Sequence, residues 1–265
     1  MNSNRRSFIR TGSLLAVGGI LKPSWLFASE GERIQLTSAD RSIFEFVARY
    51  SSNYRIVGSS VLAKLRGNLP ATTKILVEIR DPKKLVSVFS SGPFVNARAE
   101  GNRVTFLHKG VGFAIENLLR ADFATRLAGS GLPKNSTFAH DGLVYDPTTR
   151  RLTDPLEAAG SSEIKVVNPG LVGPEAFDAV LRALLEVRET GLVEGVGFRQ
   201  WRDNVLSTAE CDENAIVATL VNRFCELSSC AQEMSDIVMQ SVLVKSALQK
   251  AGVRASQLQP NYLNV

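Results

Sequence analysis

The chain of 265 residues is poor in the side chains that most often carry chemistry, with three cysteines and two histidines in all. Cys211, Cys225 and Cys230 supply neither a disulfide framework nor a metal quartet. Cys225 and Cys230, five apart in one helical run, fall nearly half a turn out of phase, so a bridge between them would need a helix break. His108 and His140 belong to no H-x-H or H-E-x-x-H pattern. His140-Asp141 near Ser130 or Ser136 invites a hydrolase triad, but the G-x-S-x-G elbow is missing, and both histidines are expected to be structural. No internal repeat or low-complexity linker occurs. Acidic residues are absent from 1–28 and again from Phe46 to Val77, and each absence has a consequence.

What is present is ordinary for a globular protein, with 44% hydrophobic and 22% charged residues. The net charge of +5 is concentrated at the start, where Arg5, Arg6, Arg10 and Lys22 stand without an acid. Removing those four from 31 basic residues leaves 27 against 26 acidic ones, or +1. A nucleic-acid binder carries a basic excess to neutralise phosphates. This balance argues against one, although a local basic patch stays open.

In "NRRSFIR" the paired arginines stand two residues before Phe8, ahead of a weakly apolar run from Thr11 to Ile20 and a small residue at Ala28. The pattern resembles a twin-arginine (Tat) export signal, which is a receptor-read address rather than an anchor. The run is too short for a comfortable membrane span. The resemblance implies a periplasmic or otherwise exported protein, the Tat translocase as a transient partner, and folding in the reducing cytoplasm. Cleavage after Ala28 and an uncleaved anchor both remain open.

Beyond it, apolar spacing predicts a helix over 39–50 and a strand in "NYRIVGSS" that runs into a Gly turn. A short helix "VLAKLRG" closed by Gly67 and a β-rich run "KILVEI" follow, then a helix from Pro82 and a strand in "NRVTFLHK". "GLVYDPTTRRLTDP" reads as strand, turn and strand. After about residue 170 the strand signals stop. "PEAFDAVLRALLEVRETG" has Pro at its first turn and Gly191 beyond its end, and helical runs follow at about 213–227 and 231–250.

The order of features in "YRIVGSSVLAKLRGNLPATTKILVEIRDPKKLVSVFSS" resembles the head domain of bacterial poly(A) polymerases and CCA-adding tRNA nucleotidyltransferases. Val57, Gly58 and Ser59 stand for the family's VGG, "KLRG" for its LLG, and "DPKKLVSVF" for the next helix. "FAHDGLVYDPTTRRLTDPLEAAG" is similar to the family's F-T-I-N-A-L-A-Y-D-P and I-D-P-F-G-G, with Phe138, Leu143, Tyr145, Asp146, Pro147, Asp154 and Pro155 in register and Asp141 in place of Asn. "NLLRAD" at 117–122 is the counterpart of R-R-D. Arg182 and Arg188 fall at the spacing of two arginines of the family's D-P-L-R-M-L-R-A-V-R-F helix. The resemblance covers roughly 40–200 and lies in order and spacing, with no single motif intact. It implies an α+β fold, a mixed sheet flanked by helices, divided as signal 1–28, head 29–168 and helical neck 169–265. By resemblance the nucleotide-pocket positions are Gly58, Ser59, Ser60, Lys74, Arg120, Asp122, Asp141, Arg182 and Arg188.

The family's chemistry uses two divalent ions held by a D-x-D pair, whose carboxylates share one face of a strand. Counted from Gly67, those positions fall on Thr72 and Lys74, and a one-residue slip gives Thr73 and Ile75. Neither register supplies a carboxylate, and an ammonium repels Mg²⁺. The expectation is therefore a pseudoenzyme with no catalytic residue, metal or cofactor, serving as a binding or scaffold module for a protein or small ligand. Two acidic side chains brought from elsewhere to within a few ångströms of this strand would overturn it. The alternatives are an active, Mg²⁺-dependent transferase with ligands relocated to Glu78, Asp81 or Glu100, and a surviving nucleotide or RNA binder. Lys74 reads either as a phosphate-holding charge or as a solvated lysine, and "GSS" at 58–60 as an anion-binding helix start or a plain turn. The helical period puts Arg188 on the apolar face, paired with an acid such as Asp154 or snorkelling, and turns Arg182 towards the polar side.

Overall fold

The computed structural model describes residues 34–79, 94–118, 136–207, 214–220 and 242–252, with isolated positions between 81 and 92. The twin-arginine segment, Ala28, Arg120, Asp122 and the three cysteines lie outside the described residues. Among the described residues no helix is long and apolar enough to cross a membrane.

Helix α1 (Ser38–Val47) begins on a capping box. Thr37 Oγ1 accepts the Asp40 N–H at 3.1 Å, and the Asp40 carboxylate accepts the Thr37 N–H at 2.8 Å. Such a cap is worth about 1 kcal/mol. Strand β1 (Tyr54–Val57) then turns at Gly58, whose φ of +66° suits a residue without a Cβ, into helix α2 (Ser59–Leu65). Gly67 ends that turn, also at positive φ, and strand β2 (Thr72–Val77) follows.

Strands β3 (Val95–Glu100), β4 (Arg103–His108) and β5 (Val111–Asn117) come next, then the hairpin of β6 (Val144–Asp146) and β7 (Arg151–Thr153). They form one mixed sheet in the order β3-β4-β5-β2-β1-β6-β7, antiparallel at every pairing except β2 with β5. β3 and β5 add to the strands expected from the sequence, and each carries a feature that hides it. A bulge interrupts β3 at Asn96, and β5 contains Gly112, where a Cβ would meet the Ala71 carbonyl at 2.5 Å.

After β7 the described elements are the helices α3 (Gly173–Thr190), α4 (Val196–Ser207) and α5 (Val242–Lys250). Pro174 lies in the first turn of α3, and Gly191 ends it in the left-handed conformation, its N–H donating to Val187 O. Helix α4 was not anticipated, because Gly195 and Gly197 blur its start, yet Phe198, Trp201 and Val205 bury one face.

One hydrophobic core runs through the sheet and these helices. Phe89, Phe94, Phe106 and Phe113 pile up on the β3–β5 side with ring centroids 4.6–5.6 Å apart, joined by Phe46 of α1. Within the core lies a sealed ion pair. Lys64 of α2 and Asp40 of α1 meet at 2.7 Å with both side chains 0% exposed, and Thr73 Oγ1 of β2 stands 3.4 Å from the same carboxylate.

Candidate functional site: an ion-pair network on strand β2

The side-chain alternation of β2 decides what its two faces hold. Thr73, Ile75 and Val77 point into the sealed core, whereas Thr72 and Lys74 lie on the opposite, half-buried face. Thr72 and Lys74 thus share a face of the strand.

The α2 start organises this face. Ser60 Oγ donates to the Thr72 carbonyl at 3.0 Å and accepts the Lys74 N–H at 2.9 Å, locking helix to strand. Ser59 Oγ accepts from Lys74 Nζ at 3.1 Å, and the Gly58 N–H is spent on Leu143 O. Both serines are buried and serve the protein itself.

The partner of Lys74 comes from far along the chain. Its Nζ stands 2.9 Å from Oε1 of Glu186 on α3, a carboxylate that sequence reasoning did not single out. Glu186 Oε2 accepts from His140 Nε2 at 2.8 Å, and Arg182 lies 3.7 Å from Oε1. Burial alone would raise the Glu186 pKa, but Lys74, Arg182 and His140 outweigh it and hold the carboxyl well below its ordinary range. Glu186 is therefore ionised, and His140 Nε2 carries the shared proton.

Arg182 ties in a second carboxylate. It grips Asp141 through two bonds of 2.6 and 3.2 Å, and Asp141 Oδ2 also accepts the Thr137 and Phe138 N–H groups at 3.0 Å. The guanidinium lies 5.2 Å from the centroid of the buried Phe138 ring, and the His140 ring stacks with that ring at 5.5 Å. Burial disfavours the arginine's charge, yet Glu186 and Asp141 more than compensate and raise its pKa further.

The placement of the two arginines reverses the expectation. Arg188 is exposed, and Asp154, its candidate partner, instead accepts the Ala158 and Ala159 N–H groups at 2.8 Å. The reason is that α3 buries two faces. Phe177, Val180, Leu181 and Leu184 form the apolar one. Ala176, Ala179, Ala183, Glu186 and Thr190 form a second, with side chains small enough to let α2 approach. That alanine stripe with a carboxylate in its row is the signal that could have exposed Glu186. Of the other candidates, Glu78 lies past the end of β2 and accepts from Asn53 Nδ2 at 2.7 Å, Asp81 lies further along, and Glu100 ends β3 opposite Arg103. Ser136 Oγ is buried without a hydrogen-bond partner and forms no triad with His140.

Two carboxylates do therefore reach the Lys74 side of the sheet, contrary to what the sequence led us to expect. Potential ligand atoms of His140, Asp141 and Glu186 lie within 4.8 Å of one another, which is the spacing of a loose metal cluster. The donor set nevertheless does not fit a divalent ion. Each of the four carboxylate oxygens already accepts from a cation, an imidazole or a backbone amide. Two carboxylates face Lys74 and Arg182, so these four groups sum to zero charge and offer a cation no electrostatic gain.

The architecture is a nucleotidyltransferase-like α+β fold. A CCA-adding enzyme solved with CTP superposes at a TM-score of 0.52 with 11% identity, over 79% of this chain and 52% of that one. A CCA-adding enzyme solved with ATP superposes at 0.51 with 12% identity, over 83% and 56%. The chain thus spans about half the length of these enzymes, and at such identity the likeness is one of fold. No protein-family model and no curated protein sequence matches it.

Proposed function

We propose that the chain is an exported, catalytically inert nucleotidyltransferase-like protein that works as a binding or scaffold module outside the cytoplasm. The observation that carries this reading is the Lys74–Glu186 ion pair at 2.9 Å. Where the family resemblance calls for a metal-binding carboxylate, the chain presents an ammonium, and the nearest carboxylate is consumed in neutralising it. Nucleotidyl transfer draws several kcal/mol of transition-state stabilisation from its metals. Loss of that contribution slows turnover by orders of magnitude. Export rests on Arg5 and Arg6, and the balanced charge of the remainder favours a protein or small-molecule partner over nucleic acid.

The deciding experiment incubates the full chain with Mg²⁺ or Mn²⁺, labelled ATP or CTP, and a tRNA primer lacking its 3′ end. No incorporation above a protein-free control is expected, and metal-dependent incorporation contradicts the reading. The proximity of His140, Asp141 and Glu186 favours one competitor, an active enzyme with relocated ligands. It predicts incorporation that Glu186→Gln abolishes. Export is tested separately, since Arg5→Lys with Arg6→Lys should retain the protein inside the cell.

A further inference from the structure

The two ends of α2 reach the two sides of the Lys74–Glu186 pair. At its start, Ser59 Oγ accepts from Lys74 Nζ, and Ser60 Oγ bonds the Thr72 carbonyl and the Lys74 N–H. At its end stands the half-buried Arg66, whose Nη1 donates to the Thr190 carbonyl at 3.0 Å and whose Nη2 donates to the Ser161 carbonyl. Thr190 closes α3 about one turn beyond Glu186, where a helix leaves its carbonyls without internal partners. Its Oγ1 donates back to the Glu186 carbonyl at 2.6 Å and accepts the Leu192 N–H at 3.3 Å. Nearby, the Ala71 N–H donates to Glu189 Oε1 at 3.1 Å. Ser161 belongs to the loop after β7, which holds the chain beyond α3 through Val193 N–H to Ser162 O at 2.9 Å and Ile164 N–H to Val193 O at 3.1 Å. Arg66 thus joins α2, the end of α3 and this loop, and among the described residues it bonds to neither Lys74 nor Glu186. Two carbonyls from separate segments suit a planar fork of donors, which a lysine ammonium does not offer.

We infer that Arg66 is a positioning residue for the Lys74–Glu186 pair, with α2 as a bracket that fixes the lysine at one end and, through Arg66, the glutamate-bearing turn of α3 at the other. The bracket is rigid because its middle is anchored. Val61, Leu62 and Lys64 are fully buried, and Lys64 is paired with Asp40. Loss of the fork frees the last turn of α3 to fray, and Glu186 then carries its carboxylate away from Lys74 Nζ. The groups that hold the Glu186 carboxyl low are Lys74, Arg182 and His140, so Arg66 reaches it through position and not through charge. The inference rests on the same ion pair that carries the proposed function, but it does not depend on export or on the absence of turnover.

The test is carbon NMR titration of the Glu186 side-chain carboxyl in the full chain, joined to the rate at which acetic anhydride acetylates Lys74, read by mass spectrometry. In Arg66→Met the carboxyl should titrate about half a pH unit higher than in wild type, and Lys74 should acetylate about twofold faster. Arg66→Lys keeps the charge without the fork and should move both readouts in the same direction. Arg202→Met removes a buried arginine of α4 that pairs with Glu194 and Asp203, and should lower the melting temperature while moving neither readout. Circular dichroism establishes that each variant is folded, and Arg66→Lys is read alone should Arg66→Met fail to fold. The inference is overturned if a folded Arg66 variant leaves the Glu186 titration where wild type has it, or if Arg202→Met moves it equally. A wild-type Glu186 that titrates as an ordinary glutamate removes the pair, and the proposed function loses its support together with this inference. A low wild-type value that no Arg66 variant changes overturns this inference alone.

Discussion

Strand β2 carries an ion-pair centre on each face, and the two are built to opposite specifications. On the core face, Lys64 and Asp40 meet at 2.7 Å with neither side chain exposed. On the other face, Lys74 and Glu186 meet at 2.9 Å with the lysine about one-third exposed and the carboxylate almost sealed. The first pair has few other partners, chiefly Thr37 and Thr73, and joins α1 to α2. The second is the hub of five charged or titratable groups drawn from β2, α3 and the turn before β6. A sealed pair can only hold elements together, because nothing reaches it without unfolding. An open one is positioned to meet a ligand, and here its own cation has taken that position.

The sharpest way to break this contrast is to remove half of the sealed pair. Lys64→Met leaves the Asp40 carboxyl buried with no cation, and urea unfolding should show a loss of about 3–5 kcal/mol. Replacing both, as Lys64→Met with Asp40→Leu, should recover part of that loss, less the roughly 1 kcal/mol cap that Asp40 shares with Thr37. A Lys64→Met protein as stable as wild type would show that the pair is not sealed.

Glu186→Gln should cost less, roughly 2 kcal/mol, because Lys74 can turn to solvent when its partner is lost. The variant also has a pH signature. The folded state holds Glu186 well below its ordinary 4.5, so its stabilisation is complete above that value and is lost as pH falls through the folded-state pKa. Wild-type stability should therefore decline more steeply below pH 4.5 than that of Glu186→Gln, read by denaturant unfolding across the acid range. Parallel profiles would remove Glu186 from the hub.

Two arginines six residues apart on α3 sharpen the comparison further. Arg182→Ala gives up the Asp141 fork and the contact over Phe138 and should lose about 1–2 kcal/mol. Arg188→Ala, at an exposed position, should stay within about 0.5 kcal/mol of wild type. Equal effects would mean that the helix face has been assigned wrongly.

Much of the fold could be read locally. The capped α1, the β1–Gly58–α2 turn, β2, the β6–β7 hairpin and α3 with its Pro174 and Gly191 all announce themselves through period and punctuation. So does the lack of any acid between Phe46 and Val77. The hub does not, because its partners are separated by 46 and 112 residues and a helical period gives a face without saying what lies across it. A one-sided reading of α3 selected Arg188, whereas a helix packed against both α2 and α4 turns a second, alanine-lined face to α2 and seats Glu186 there, within reach of Lys74. The sealed pair stayed hidden for a related reason, since "VLAKLRG" reads as a helix whichever way Lys64 points.

Carbon NMR titration of the Glu186 side-chain carboxyl reads directly whether Lys74 and Glu186 pair in solution. In the wild-type chain it should titrate well below an ordinary glutamate, and in Lys74→Met it should move back up towards 4.5. A Glu186 carboxyl that titrates at the same pH in both proteins would contradict the account.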